Sequence, residues 1–188
     1  MATEPRAHLT DNVPLIGAAL AGAAVAIGLG VYGRRHDPVG RSLFTLGFSG
    51  TINMKVWLAT LVLVLACAQV GLALWMYGKV GASAAPGWVP PTHRLVGTLA
   101  FLVSLPVAYH CLWSLGFESS VDHARRFWHS IFGCCFYGAF TVKVLAVRSK
   151  RMPGWTLPVV GGLVFSLLVG LWLTSALWFF DTSGFPSF

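Results

Sequence analysis

Five apolar runs, each long enough to cross a bilayer, dominate this chain. They read Val13–Gly33, Val56–Gly78, Leu95–Phe117, Phe127–Val147 and Trp155–Phe180. One helical crossing of the hydrocarbon core needs about 20 such residues. Within lipid every backbone N–H and C=O needs a partner inside the protein, and a helix supplies one for each residue. The alternation of apolar and polar residues that marks a membrane barrel is absent. The expected fold is an all-α integral membrane protein with five transmembrane helices. These runs fill most of the 188 residues, so a single transmembrane domain is expected over 1–188, with no second, extramembrane domain.

Charge supports that reading. Asp, Glu, Lys and Arg make up 10% of the chain, against roughly a quarter in soluble domains. The net charge of +7 would suit nucleic acid, but the basic residues flank the spans: Arg34-Arg35, Arg125-Arg126 and Arg148 to Arg151. Anionic headgroups of the lipid bilayer are the simpler partner, and no nucleic acid is expected. Trp57, Trp75, Trp113, Trp128, Trp155 and Trp178 lie near span ends, where amphipathic rings prefer to sit. Basic residues divide almost evenly between the two sides. The slight imbalance places the amino terminus in the cytoplasm of a multi-pass protein of the cell (plasma) membrane. The first run exceeds the usual signal core and follows a single basic residue, Arg6, so it is read as retained. Cys67, Cys111, Cys134 and Cys135 all fall within spans, without the C-x-x-C-H of covalent haem, and are read as packing residues.

Local signals set the connections. Span one is rich in Gly and Ala, which lets another helix approach closely. The segment Arg41 to Phe48 is expected to lie in the membrane interface, and Gln69 to hydrogen-bond between helices. Pro86, Pro90 and Pro91 mark the next loop as not helical throughout. Pro106, inside span three, predicts a kink near Leu102. Ser119 to Asp122 has capping-box spacing and would open span four. The short turn between spans three and four makes them expected antiparallel neighbours.

Two histidines then stand out. His110 lies six residues before Gly116, and His129 ten residues after Ser119. At about 1.5 Å per residue they sit roughly 9 and 15 Å into their helices, toward one membrane face. An ionisable side chain is costly there and marks a functional site by default. Paired imidazoles of this kind hold b-type haem. Gly133 follows His129 by one turn and gives a porphyrin room, while Phe132, Phe136 and Phe140 supply an aromatic wall. Lys143 points the same way and either meets an anion such as a haem propionate or snorkels to the headgroups. His93 opens span three, roughly 25 Å from His110, and is a candidate ligand for a second haem or an interfacial hydrogen-bonding residue. Gly97 follows it as Gly133 follows His129, and Met76 is a candidate partner ligand. His123 competes with His129, whereas His8 and His36 are expected to be solvated.

The segments Thr92 to Gly97, Leu105 to His110 and His129 to Gly133 resemble the helical core of cytochrome b561-like membrane proteins. The stretch from Pro91 to Phe180, with Pro153-Gly-Trp155 and Thr174 to Phe180, is more similar still to a family of small actinobacterial multi-pass membrane proteins of uncharacterised function. The resemblance covers roughly three quarters of the chain. It implies a four-helix cytochrome b-like core from spans two to five, with span one an addition. It also implies haem ligation by His110 and His129, with His93 a further candidate. The chain departs from a two-haem pattern because it lacks a clear fourth histidine in a span. The expected function is electron transfer through haem b, as a subunit of an oxidoreductase complex and not a stand-alone enzyme. A partner redox protein or the quinone pool would supply or take the electrons. The alternatives are a haem-free anchor or assembly subunit of a respiratory complex and a small proton or metal transporter.

Overall fold

A computed structural model describes residues 13–81 and 83–186; Arg6 and His8 lie outside them. The described chain is helical, with five rods long and apolar enough to span a membrane. Helix α1 covers Val13–Arg35 and α2 Thr51–Met76. Helix α3 covers Val89–His110 and widens into a π turn at Cys111–Leu115. A short 3-10 turn, Val121–His123, leads into α4, Ala124–Arg148. The last rod is α5, Thr156–Trp172, a second π turn at Leu173–Leu177, and α6, Trp178–Ser183. This is a multi-pass membrane protein.

Two boundaries differ from expectation for clear reasons. Helix α3 starts at Val89, so Pro90 and Pro91 lie in its first turn. The missing N–H costs nothing there, because first-turn donors have no partner within the helix. The cap before α4 is Ser120, one residue later than the expected Ser119. The Ser120 hydroxyl oxygen accepts from the Asp122 N–H at 3.2 Å, and the hydroxyl donates to Asp122 Oδ2 at 3.0 Å. Helix α3 stays helical through Pro106.

The chain divides into two compact units. Unit 1 comprises Phe117–Leu171 and the described part of Met1–Arg35. Here α1 packs against α4 through two glycines. A Cβ on Gly138 would stand 2.6 Å from the Gly22 carbonyl oxygen, and one on Gly22 would stand 2.7 Å from that of Gly138. Lipid removes the hydrophobic drive between helices, so close backbone contact of this kind supplies the attraction. Helix α5 joins through Gly170, which a Cβ would bring within 2.9 Å of the Phe132 ring. Ahead of α4, the Glu118 carboxylate accepts from the Ser120 N–H at 2.9 Å and pairs with His123 at 3.1 Å and Arg126 at 3.3 Å. The Ser120 N–H, with His123 and Arg126 beside it, holds this carboxyl below its usual range, against the smaller opposing effect of burial.

Unit 2 comprises His36–Gly116 and Trp172–Phe188, described as far as Pro186. Helices α2 and α3 form an antiparallel hairpin. Trp75 meets Trp88 edge-on at 5.6 Å near the connecting loop. Farther along, the Gln69 amide donates to the His93 carbonyl, as expected of a polar residue between membrane helices. The end of the last rod closes on α2: Trp172 Nε1 donates to Thr60 Oγ1 at 3.1 Å, and Trp57 Nε1 to the Pro186 carbonyl at 3.3 Å. Helix α3 thus finds its partner α2 in unit 2 and α4 its partner α1 in unit 1. The expected pairing of spans three and four joins helices of different units.

Candidate functional site

The site centres on His110. Its side chain is completely buried, with 0% exposure. Nδ1 lies 2.9 Å from the carbonyl oxygen of Pro106, one turn back in the same helix. A carbonyl only accepts, so Nδ1 carries the proton. The neutral ring then presents a lone pair at Nε2. That atom is buried and has no hydrogen-bond partner. Leaving a buried polar atom unpaired costs about 1–3 kcal/mol. Metal-binding histidines are held in this way, one ring nitrogen fixed by a backbone carbonyl and the other presented to the metal.

The segment between α1 and α2 packs on His110 through Phe44. Its amides complete the end of α3: Val39 N–H donates to the Trp113 carbonyl at 3.2 Å, and Gly40 N–H to that of Ser114 at 3.0 Å. The last carbonyls of any helix lack partners within it, so this strap satisfies groups that would otherwise be stranded. The Ser114 hydroxyl donates back to the Arg41 carbonyl at 2.9 Å. Pro38 sits against Gly116, where a Cβ would be 3.1 Å from the proline ring. Phe44 stacks on Tyr109 at 5.8 Å and meets His110 edge-on at 4.6 Å. His36 is not solvated as expected, because its ring packs 4.6 Å from Trp113. The packing of this strap on the end of α3 and on His110 is what sequence reasoning missed. Its signal was punctuation by Pro38, Gly40, Gly47 and Gly50 around an aromatic residue, which reads equally well as a plain loop.

The other candidates fall in both units. His93 and Gly97 share unit 2 with His110, whereas His129, Gly133, Phe136 and Lys143 belong to unit 1. His129 and Lys143 are half-buried on α4, and Phe136 is buried against Tyr137 at 5.1 Å. Gly133 is backed by Leu171, 3.8 Å from where a Cβ would stand. The face of Gly97 is taken by Gln69, whose Oε1 lies 2.9 Å from a Cβ position there. Met76, the last residue of α2, is exposed. His123, exposed, is engaged by Glu118. Among the described residues, no three His, Cys, Asp or Glu side chains gather as a group fit to hold a bare metal ion.

Five apolar helices long enough to span define the class, a small multi-pass membrane protein, here with one fully buried histidine whose Nε2 has no hydrogen-bond partner. The chain belongs to the family of unknown function DUF6529, whose model matches residues 15–187 and so takes in the strap and all but the first residues of α1. No curated protein and no solved structure matches it.

Proposed function

We propose that this chain is a b-type haem electron-transfer subunit of the cell membrane, with its amino terminus in the cytoplasm. It passes electrons between the quinone pool or a partner redox protein and another redox centre. The observation that carries the reading is the buried, partnerless Nε2 of His110, with Nδ1 tied to the Pro106 carbonyl.

The donor set favours haem over a bare ion. A bare transition metal needs three or four protein ligands, a grouping absent among the described residues. Haem would bring its own ring nitrogens and would ask the protein for one or two ligands. His110 is the first of these. His129 is the candidate second ligand and His93 a candidate for a second haem, while Gly133, Gly97, Phe136 and Lys143 remain the proposed surroundings. Bound haem iron would exchange one electron at a time between its ferric and ferrous states. The Pro106 carbonyl holds the proton at Nδ1, orients the ring and raises the basicity of Nε2. Phe44 and Tyr109 pack on the imidazole, and the side chain is shut off from water. A dry, low-dielectric shell of this kind tunes an iron potential.

The test is an absorption spectrum of the full-length protein, purified after expression with ample haem. Reducible b-type bands, lost in His110→Ala, are expected. A colourless protein overturns the proposal in favour of a haem-free anchor or a proton or metal transporter.

A further inference from the structure

The strap does more than finish a helix. Phe44, whose ring meets the completely buried His110 edge-on at 4.6 Å, is itself 37% exposed, so it reaches from the imidazole to the surface. Its neighbours Leu43 and Leu46 are 71% and 59% exposed. A short segment with that much apolar surface, next to Arg41 and at the end of a spanning helix, suits the boundary between headgroups and acyl chains. Phe44 is also bracketed by left-handed backbone. Gly40 has φ 67° and Gly47 φ 87°, and Leu46 holds φ 52° without being glycine. Glycine turns easily about such angles, while a branched residue held there stores strain. Beyond the Gly40 amide bond to the Ser114 carbonyl, the segment is fastened by a hydroxyl bond from Ser114 to the Arg41 carbonyl and by the ring contacts of Phe44.

We propose that Gly40–Gly47 is a hinged lid over His110 that opens toward the membrane interface and admits a lipophilic, ring-shaped ligand to Nε2. Closed, the lid places Phe44 against the imidazole. Open, it swings Phe44 aside about Gly40 and Gly47 while the Val39 and Gly40 amides stay on α3. As a route for loading haem, the lid rests on the function proposed above. As a moving cover, it stands on the strap alone.

The experiment reads access to Nε2 without haem. The full-length chain is purified from haem-depleted cells into lipid nanodiscs and treated with diethyl pyrocarbonate, which acylates free imidazole nitrogens. Peptide mass spectrometry follows His110 over time, with exposed His123 as the internal standard. Wild-type His110 should label slowly relative to His123. Phe44→Ala should raise the His110 rate at least tenfold. Ser114→Ala, which leaves the ring in place and removes the hydroxyl bond, should raise it severalfold. Leu43→Ala, at a side chain 71% exposed, should leave it unchanged. The lid is overturned if Phe44→Ala labels at the wild-type rate. It is equally overturned if Ser114→Ala has no effect while Phe44→Ala does, since Phe44 would then be a fixed cover. Loading with hemin separates the two proposals. A protein with the expected labelling that gives no b-type bands sinks the haem reading alone. One that gives the bands with unchanged labelling sinks the lid alone.

Discussion

Gly22 and Gly138 touch backbone to backbone, each occupying the space where a side chain on the other would begin. The crossing of α1 and α4 depends on that absence, because the atom nearest a Cβ on Gly138 is the main-chain oxygen of Gly22, which cannot rotate away. Gly138→Ala should therefore destabilise unit 1 by about 1–3 kcal/mol, the usual cost of overpacking. Denaturant titration in detergent, followed by circular dichroism, reads this as a lower midpoint. An unchanged midpoint would mean that the crossing is looser than described.

Gly97 offers the contrasting case. A Cβ there meets Gln69 Oε1 at 2.9 Å, but that atom is the far end of a flexible side chain. Gly97→Ala should cost less than Gly138→Ala in the same titration. Gln69→Leu removes the bond to the His93 carbonyl and should cost about 0.6 kcal/mol, and no more than about 1.7 kcal/mol, the range for polar bonds between membrane helices.

Acid should loosen the turn before α4. Glu118 has a carboxyl pKa lowered from 4.5 by folding. A lowered carboxylate contributes stability above its unfolded pKa and loses it as pH falls through the folded value. The loss should thus begin below about pH 4.5 and deepen with further acid. Protection of the Ser120 and Asp122 amides, read as exchange relative to the intrinsic rate at each pH, should fall over that window in the wild type. Glu118→Gln should show fast exchange already at neutral pH and a flatter profile.

The histidines divide spectrally. His110→Ala should abolish b-type bands, and His129→Ala should do the same if it is the opposing ligand. His123→Ala should leave the bands unchanged, because Glu118 already engages that ring. Bands that survive His110→Ala would remove the central residue of the proposal.

Gly133→Ala tests the proposed surroundings. The new methyl meets only Leu171, at an ordinary 3.8 Å, so stability should stay within about 0.5 kcal/mol of wild type. If Gly133 borders the porphyrin, haem retention should fall while the unfolding midpoint holds. Unchanged retention would place the porphyrin elsewhere.

The five rods were legible in the sequence because lipid imposes one blunt demand, a run of apolar residues long enough to cross it. Pro90 and Pro91 misled because proline usually ends a helix, and only position in the first turn makes it harmless. The helix pairings were hidden. Gly22 sits in a segment crowded with equivalent small residues, and nothing local says which of them meets Gly138. His110 was visible as a costly polar residue, and its spacing from Pro106 was on view. The strap above it was not, because two amide bonds to α3 leave no periodic trace in the residues that make them.

Those two amide bonds also order the birth of the molecule. Val39 and Gly40 leave the ribosome well before Trp113 and Ser114, the carbonyls they serve. When the third crossing emerges, the donors that finish it are already waiting at the bilayer surface. Nascent chains shorn of this segment would end that crossing with the Trp113 and Ser114 carbonyls stripped of these two donors.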